Sequence, residues 1–146
     1  YFQTQKYHQV IPLMNYLILH GVEADWIWYY IGSSYNQLGQ FAEAIPFIQQ
    51  AIEQGISENI SNYYSQLAIA YEEVKDYKLA IKYYKAAYET SRSDILLYHL
   101  ARNYDVFYKD KSQAMTYYRK YLNSDDTIRI AKEYSAFRLQ QLGDLR

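Results

Sequence analysis

The chain has 146 residues, half of them apolar and 21% charged, which excludes a disordered chain and fits one domain with a sizeable core. A formal net charge of -1 excludes a global field that would draw the chain to nucleic acid or an acidic membrane. The absence of cysteine excludes disulfides and thiolate chemistry and leaves the redox compartment open.

Two prolines and five glycines punctuate the chain, few enough to favour long helices. Tyrosine, by contrast, is abundant at 20 residues. Its apolar body and polar tip suit half-buried surfaces between stacked elements, or a binding groove. The most apolar window, Val10 to Leu19, is interrupted by Pro12 and Asn15 and falls short of the roughly 18 apolar residues of a spanning helix, so no membrane insertion is expected. Tyr1-Phe2-Gln3 resembles the remnant of a protease-site tag, the alternative being native sequence, so a missing targeting signal carries little weight. The cytoplasm is the expected compartment and the periplasm the alternative.

Eight helices are predicted in chain order. The first, 6-20, carries Tyr7-His8-Gln9-Val10-Ile11-Pro12-Leu13-Met14, which repeats as Phe41-Ala42-Glu43-Ala44-Ile45-Pro46-Phe47-Ile48 at an offset of 34. Helix 25-38 places Trp28, Ile31, Gly32 and Tyr35 at i, i+3, i+4, i+7, one helical face. A break at Leu38-Gly39-Gln40 precedes helix 42-54, whose stripe is Phe41, Ala44, Ile48 and Ala51. Helices 60-74 and 77-91 repeat the pair with Tyr64, Leu67, Ala68, Tyr71 and Tyr77, Ala80, Tyr84, Ala87. Helices 94-107 and 112-123 repeat it again with Leu97, Leu100, Ala101, Tyr104 and Ala114, Tyr118, Tyr121. The turn from Phe107 to Ser112 carries one extra residue. The last helix, 128-142, has Ile130, Tyr134, Phe137 and Gln141 on one face. Gly39 and Gly55 sit where a left-handed helix cap is expected. Pro12 and Pro46 are placed about one turn into their helices, where a missing N–H is cheapest, so a slight kink or late start is expected there.

The spacing of Trp28, Gly32, Tyr35, Gly39, Phe41, Ala44 and Ala51 resembles the tetratricopeptide repeat, a helix-turn-helix unit of about 34 residues. The resemblance covers nearly the whole chain, 1-146, as a single domain. It divides into 6-22 as the second helix of a truncated repeat, repeats at 25-58, 61-94 and 94-128, and a capping helix at 128-142. It implies an all-α, right-handed α-solenoid of stacked antiparallel helix pairs, each burying its faces against its neighbours. Its implied function is a scaffold that binds a protein or peptide in a concave groove lined by the first helix of each pair. The alternative is a regulatory or sensor segment of a larger signalling protein, acting by intramolecular docking or self-association. The groove-facing positions that the resemblance assigns are Trp26, Tyr29, Ser33 and Asn36, then Asn62, Ser65, Ile69 and Glu72, then Ile95, Tyr98, Arg102 and Asp105. Trp26, Tyr29, Tyr98 and Arg102 are the expected anchors, weighed against a role in filling gaps between repeats. Asn36 and Asn62 are expected to add hydrogen bonds to an extended backbone. A carboxylate clamp of the family's kind is not expected, because its positions hold Tyr29, Ser33, Gln66, Ile95 and His99 and its lysines are missing.

A search for chemistry finds no phosphate-cradling loop, zinc-protease motif or nucleophile elbow. His8, His20 and His99 lie far apart on different helices. No metal, cofactor or enzymatic activity is expected. Lys75, Lys78, Lys82 and Lys85 share one helix face. Without interleaved aromatic platforms they read as a solvated outer face and not as a nucleic-acid dock. Self-association through the truncated first helix, by Tyr7, Val10, Leu13 and Leu17, is a further expectation.

Overall fold

The computed structural model describes residues 2–55 and 58–144. Tyr1 of the tag-like tripeptide, residues 56–57 within the repeat read at 25-58, and residues 145–146 lie outside the described residues. Eight helices follow in order: α1 (Phe2–Leu19), α2 (Asp25–Gln37), α3 (Phe41–Gln54), α4 (Ile60–Glu73), α5 (Tyr77–Ser91), α6 (Ile95–Phe107), α7 (Ser112–Leu122) and α8 (Arg129–Asp144). No strand occurs among the described residues. Each helix packs on the next, and α2 also reaches α4, so the pairs α2–α3, α4–α5 and α6–α7 stack as a one-dimensional array. No helix among the described residues is long and apolar enough to cross a membrane.

The predicted stripes supply the core. Ile31, Leu67, Ala68, Leu100 and Ala101 from the first helices are buried against Ala44, Ile48, Ala51, Ala80, Tyr84, Ala87, Ala114 and Tyr118 from the second. Small residues set the crossing distance. A Cβ added at Gly32 would press into the Ile48 side chain, with the Ala44 carbonyl oxygen at 3.1 Å and the Ile48 nitrogen at 3.2 Å, so glycine permits this approach.

The turns differ in how they satisfy helix-end carbonyls. After α2, Gly39 takes φ +74, donating from its N–H to the Asn36 carbonyl at 3.0 Å while the Gln40 N–H reaches the Tyr35 carbonyl at 2.9 Å. After α4, Lys75 takes φ +66 and repeats the pattern, with Asp76 N–H on the Tyr71 carbonyl at 2.8 Å. After α6 the longer turn leaves Tyr108 extended. There the Lys111 ammonium reaches into the turn, donating to the Asp105 carbonyl and, at 2.8 Å, to the Tyr108 carbonyl. This is a side-chain alternative to a left-handed cap. Gly55 departs from the expected cap, because the chain leaves α3 extended at φ -179. Gly21 and Arg92 take positive φ instead.

Three further expectations need correction. Pro12 is the eleventh residue of an α1 that starts at Phe2, so it is a mid-helix proline, whereas Pro46 is the sixth residue of α3. In α8, Ile130, Tyr134 and Phe137 are exposed. The helix docks by Ala131, Ser135, Arg138 and Leu142, because small side chains let it approach closely. In α1, Tyr7, Val10 and Leu17 are half-buried, and Leu13, Tyr16 and Leu19 form the exposed apolar set.

Candidate functional site

Residues from α2, α4 and α6 line three successive cavities. The largest, about 430 Å³, lies between α1, α2 and α4 and includes Tyr7, Trp26, Tyr29, Tyr30, Ser33 and Asn62. Trp26, Tyr29 and Tyr30 come from one turn of α2. Trp26 and Tyr30 stand 6.2 Å apart at 75°, and Tyr29 and Tyr30 stand 5.6 Å apart at 62°. Tyr29 stacks on Tyr63 at 4.7 Å, and burial raises its hydroxyl above the ordinary tyrosine value. Trp26 and Tyr30 remain 40% and 50% exposed. Tyr63 is buried and donates to the Asp25 carboxylate at 2.8 Å, which ties the start of α2 to α4 and sets one wall.

The second cavity, about 260 Å³, is lined by Asn62, Ser65, Ile69, Tyr84, Ile95 and His99 among others. The Tyr84 hydroxyl donates to Glu72 Oε2 at 2.6 Å, and His99 stacks on the Tyr84 ring at 5.1 Å and 5°. Burial holds the His99 imidazole below its ordinary value, with Glu72 opposing and Arg102 reinforcing that shift. Its buried Nδ1 has no hydrogen-bond partner, which fits a neutral ring. The third cavity, about 190 Å³, is lined by Glu72, Glu73, Lys75, Tyr77, Arg102 and Val106.

The expected groove residues therefore divide. Trp26, Tyr29, Ser33 and Asn62 are brought together, Asn62, Ser65 and Ile69 line the next cavity with Ile95, and Arg102 lines the third. Asn36 is elsewhere: it is buried and donates to the Gln66 carbonyl and to Gln66 Oε1 at 2.9 and 3.0 Å, joining α2 to α4. Tyr98 packs between helices, 5.5 Å from Tyr121 and 6.1 Å from Tyr134, with the Arg102 guanidinium 5.7 Å from its ring. Asp105 is also internal. Only 7% exposed, it accepts two hydrogen bonds from Arg138 of α8 at 2.7 and 2.9 Å and one from the Tyr118 hydroxyl at 3.1 Å. Burial pushes the Asp105 carboxyl up, but Arg138, Tyr118 and Lys111 outweigh it and hold it below the usual carboxylate range.

The sequence reading missed Tyr30, which the helical spacing from Trp26 (i, i+4) would have found. It also missed the tyrosine stacks on the outer edge. Tyr71 lies on Tyr83 at 5.7 Å and Tyr104 on Tyr117 at 5.4 Å. Lys82 and Lys85 stand 5.3 Å from the Tyr83 and Tyr104 rings. The lysine face is thus interleaved with aromatics, contrary to expectation, because the ring beneath Lys85 comes from α6. Among the described residues, no group of three or more histidines, aspartates and glutamates is placed to hold a metal ion.

Comparison with known proteins now places the chain. The tetratricopeptide repeat family model matches residues 23–93, which span α2 to α5. Comparison with curated proteins gives no match. YrrB, a tetratricopeptide repeat protein with an unusual peptide-binding site, superposes with a TM-score of 0.79 at 18% identity over 93% of this chain and 69% of its own. The MamA RS-1 ArsTM double mutant follows with a TM-score of 0.73 at 14% identity, over 81% of this chain and 65% of its own. The C-terminal part of a repeat protein from Cytophaga hutchinsonii gives 0.55 at 15% identity, over 89% and 64%. The chain thus spans less than two thirds of the second and third of these. At such identities the likeness concerns the fold alone. The chain is thus similar to the tetratricopeptide repeat family over α2 to α5, and it shares the helical-repeat fold of these solved proteins along most of its length.

Proposed function

We propose that this protein binds a peptide, or an extended segment of a protein partner, in the groove formed by α2 and α4 with α1 as a side wall. The observation that carries the reading is the 430 Å³ cavity, in which half-exposed Trp26 and Tyr30 converge with Ser33 and Asn62. Aromatic side chains beside directed polar groups, here Ser33, Asn59 and Asn62, can fix a ligand's orientation. Large aromatics that the hairpin core does not use are the usual energetic anchors of an interface. Asn36 is buried, and Tyr98 and Tyr29 both pack partly on neighbouring helices, so the exposed anchors are Trp26 and Tyr30, with Asn62 supplying hydrogen bonds and Arg102 an anion-binding donor further along.

Peptides selected from a displayed library against the chain, titrated against surface variants, test this. Trp26→Ala and Asn62→Ala should each weaken binding by about 1–2 kcal/mol with an unchanged melting temperature. Lys82→Ala should alter only the salt-dependent association rate. The opposite pattern, with lysine variants abolishing binding and groove variants neutral, would move the site to the outer face.

A further inference from the structure

The charge of this chain is divided by position. Between Tyr7 and Val74 there are seven carboxylates and no lysine or arginine. The remaining residues from Lys75 onward carry fourteen of the fifteen basic side chains against nine acidic ones. The acidic stretch contains α2, α3 and α4 entire, and with them nearly all of the lining of the largest cavity. Asp25 adjoins Trp26 in the first turn of α2, where it also offsets the positive end of that helix. Glu58 adjoins Asn59, which lines the same cavity, and Glu23 lies two residues before Asp25. The cavity's one cation is Lys6, in the early turns of α1. A short connection joins α1 to α2 and the two pack together, so the early turns of α1, which carry Lys6, lie beside the later turns of α2.

We infer that the Trp26–Tyr30 end of this groove is a subsite for an arginine side chain of the bound peptide. The inference rests on the groove being the peptide site. Tyr30 lies 6.2 Å from Trp26 and 5.6 Å from Tyr29, inclined to both rings, and the negative faces of such rings attract a cation. A guanidinium is planar and weakly hydrated, so it stacks on these rings more readily than an ammonium does. Asp25 is held against this cavity's wall by the Tyr63 hydroxyl at 2.8 Å, and Glu23 and Glu58 are close neighbours in sequence of Asp25 and Asn59, so the charge around this end is negative, while the rest of the groove offers Ser33 and Asn62 to the peptide backbone. A charge-matched partner would also be steered to this half of the molecule and away from the lysine face.

The test uses three fluorescein-labelled octapeptides of alternating arginine and serine, citrulline and serine, or glutamate and serine, titrated by anisotropy at two salt concentrations. Citrulline preserves the shape of arginine and removes the charge. The arginine peptide should bind at least tenfold more tightly than the citrulline peptide and weaken as salt rises. Trp26→Ala and Tyr30→Ala should each reduce its affinity by roughly threefold or more. Equal binding of the arginine and citrulline peptides, still weakened by the groove variants, would overturn the arginine subsite and keep the groove. Arginine binding untouched by Trp26→Ala and Tyr30→Ala would overturn the subsite, as would no arginine binding at millimolar concentration. Preferential binding of the glutamate peptide, lost in Lys82→Ala or Lys85→Ala, would overturn both this inference and the groove assignment.

Discussion

A missing Cβ and a positive φ decide two of the helix contacts. At Gly32 the space for a side chain is already occupied by Ile48 and by the α3 backbone around Ala44. Backbone cannot move aside as a side-chain tip can. Gly32→Leu should therefore destabilise the fold by about 1–3 kcal/mol through overpacking. Thermal melts read this directly, and an unchanged melting temperature would mean the pair does not cross there. Lys75 presents the opposite case. It occupies a left-handed conformation that its counterpart Gly39 adopts without strain, with the same hydrogen bonds closing the turn. A Cβ in that region costs about 1 kcal/mol, part of which the unfolded-state entropy of glycine returns. Lys75→Gly should thus be neutral to stabilising, up to about 1 kcal/mol in chemical denaturation. A clear loss would show that the Lys75 side chain contributes more than its backbone strain.

The element whose attachment is most concentrated is α8. Its outward face is apolar, with Ile130 and Phe137 79% and 55% exposed. Its inward face is held by small residues and by the Arg138–Asp105 pair. Lys132 of α8 also donates to the last carbonyls of α7, at 2.6 Å to Tyr121 and 3.2 Å to Leu122, and to Ser124 just beyond it at 2.8 Å, so this helix caps its neighbour. Removing Arg138 strands a buried carboxylate that retains only Tyr118 and Lys111. Arg138→Ala should cost about 2 kcal/mol, and Asp105→Asn should remove most of the coupling with it. A double-mutant cycle measured by denaturation checks this, and additive losses would mean the pair does not hold α8.

Across the whole molecule, acid should weaken the stack in two windows. His99 is neutral when buried and its folded pKa lies below the unfolded value of about 6.5. Its contribution is present above that pH and is lost as pH falls from about 6.5 toward the folded value. Asp105 is likewise depressed, so its contribution is present above the unfolded value of about 3.9 and is lost as pH falls below it, through the folded value. Both groups belong to α6, so the C-terminal pairs should lose protection first in hydrogen exchange at low pH. His99→Gln should flatten the upper window and leave the lower one. A profile unchanged by that variant would show that His99 titrates as an exposed group does.

The sequence by itself determined the helices, the period and the faces by which α2 to α7 make the core, though not the face by which α8 docks. Helical amphipathicity is local: Leu67, Ala68 and Tyr71 share a face whatever their neighbours are, and recurrence at 33 to 36 residues marks stacking units. Proximity along one helix likewise made Trp26 and Tyr29 legible as a cluster. Only tertiary structure decided which polar and aromatic side chains are left for a partner. Asn36 and Gln66 are 30 residues apart, Asp105 and Arg138 are 33, and nothing in either local pattern says that they meet. Tyr98 has the residue type and helix position of an anchor, yet Tyr121 of α7 and Tyr134 of α8 pack against its half-buried ring, because burial depends on which helix stacks next. The left-handed caps fell between these cases. Glycine signals a cap only where strain selects it, and Lys75 and Lys111 show a repeat closing its turns by other means.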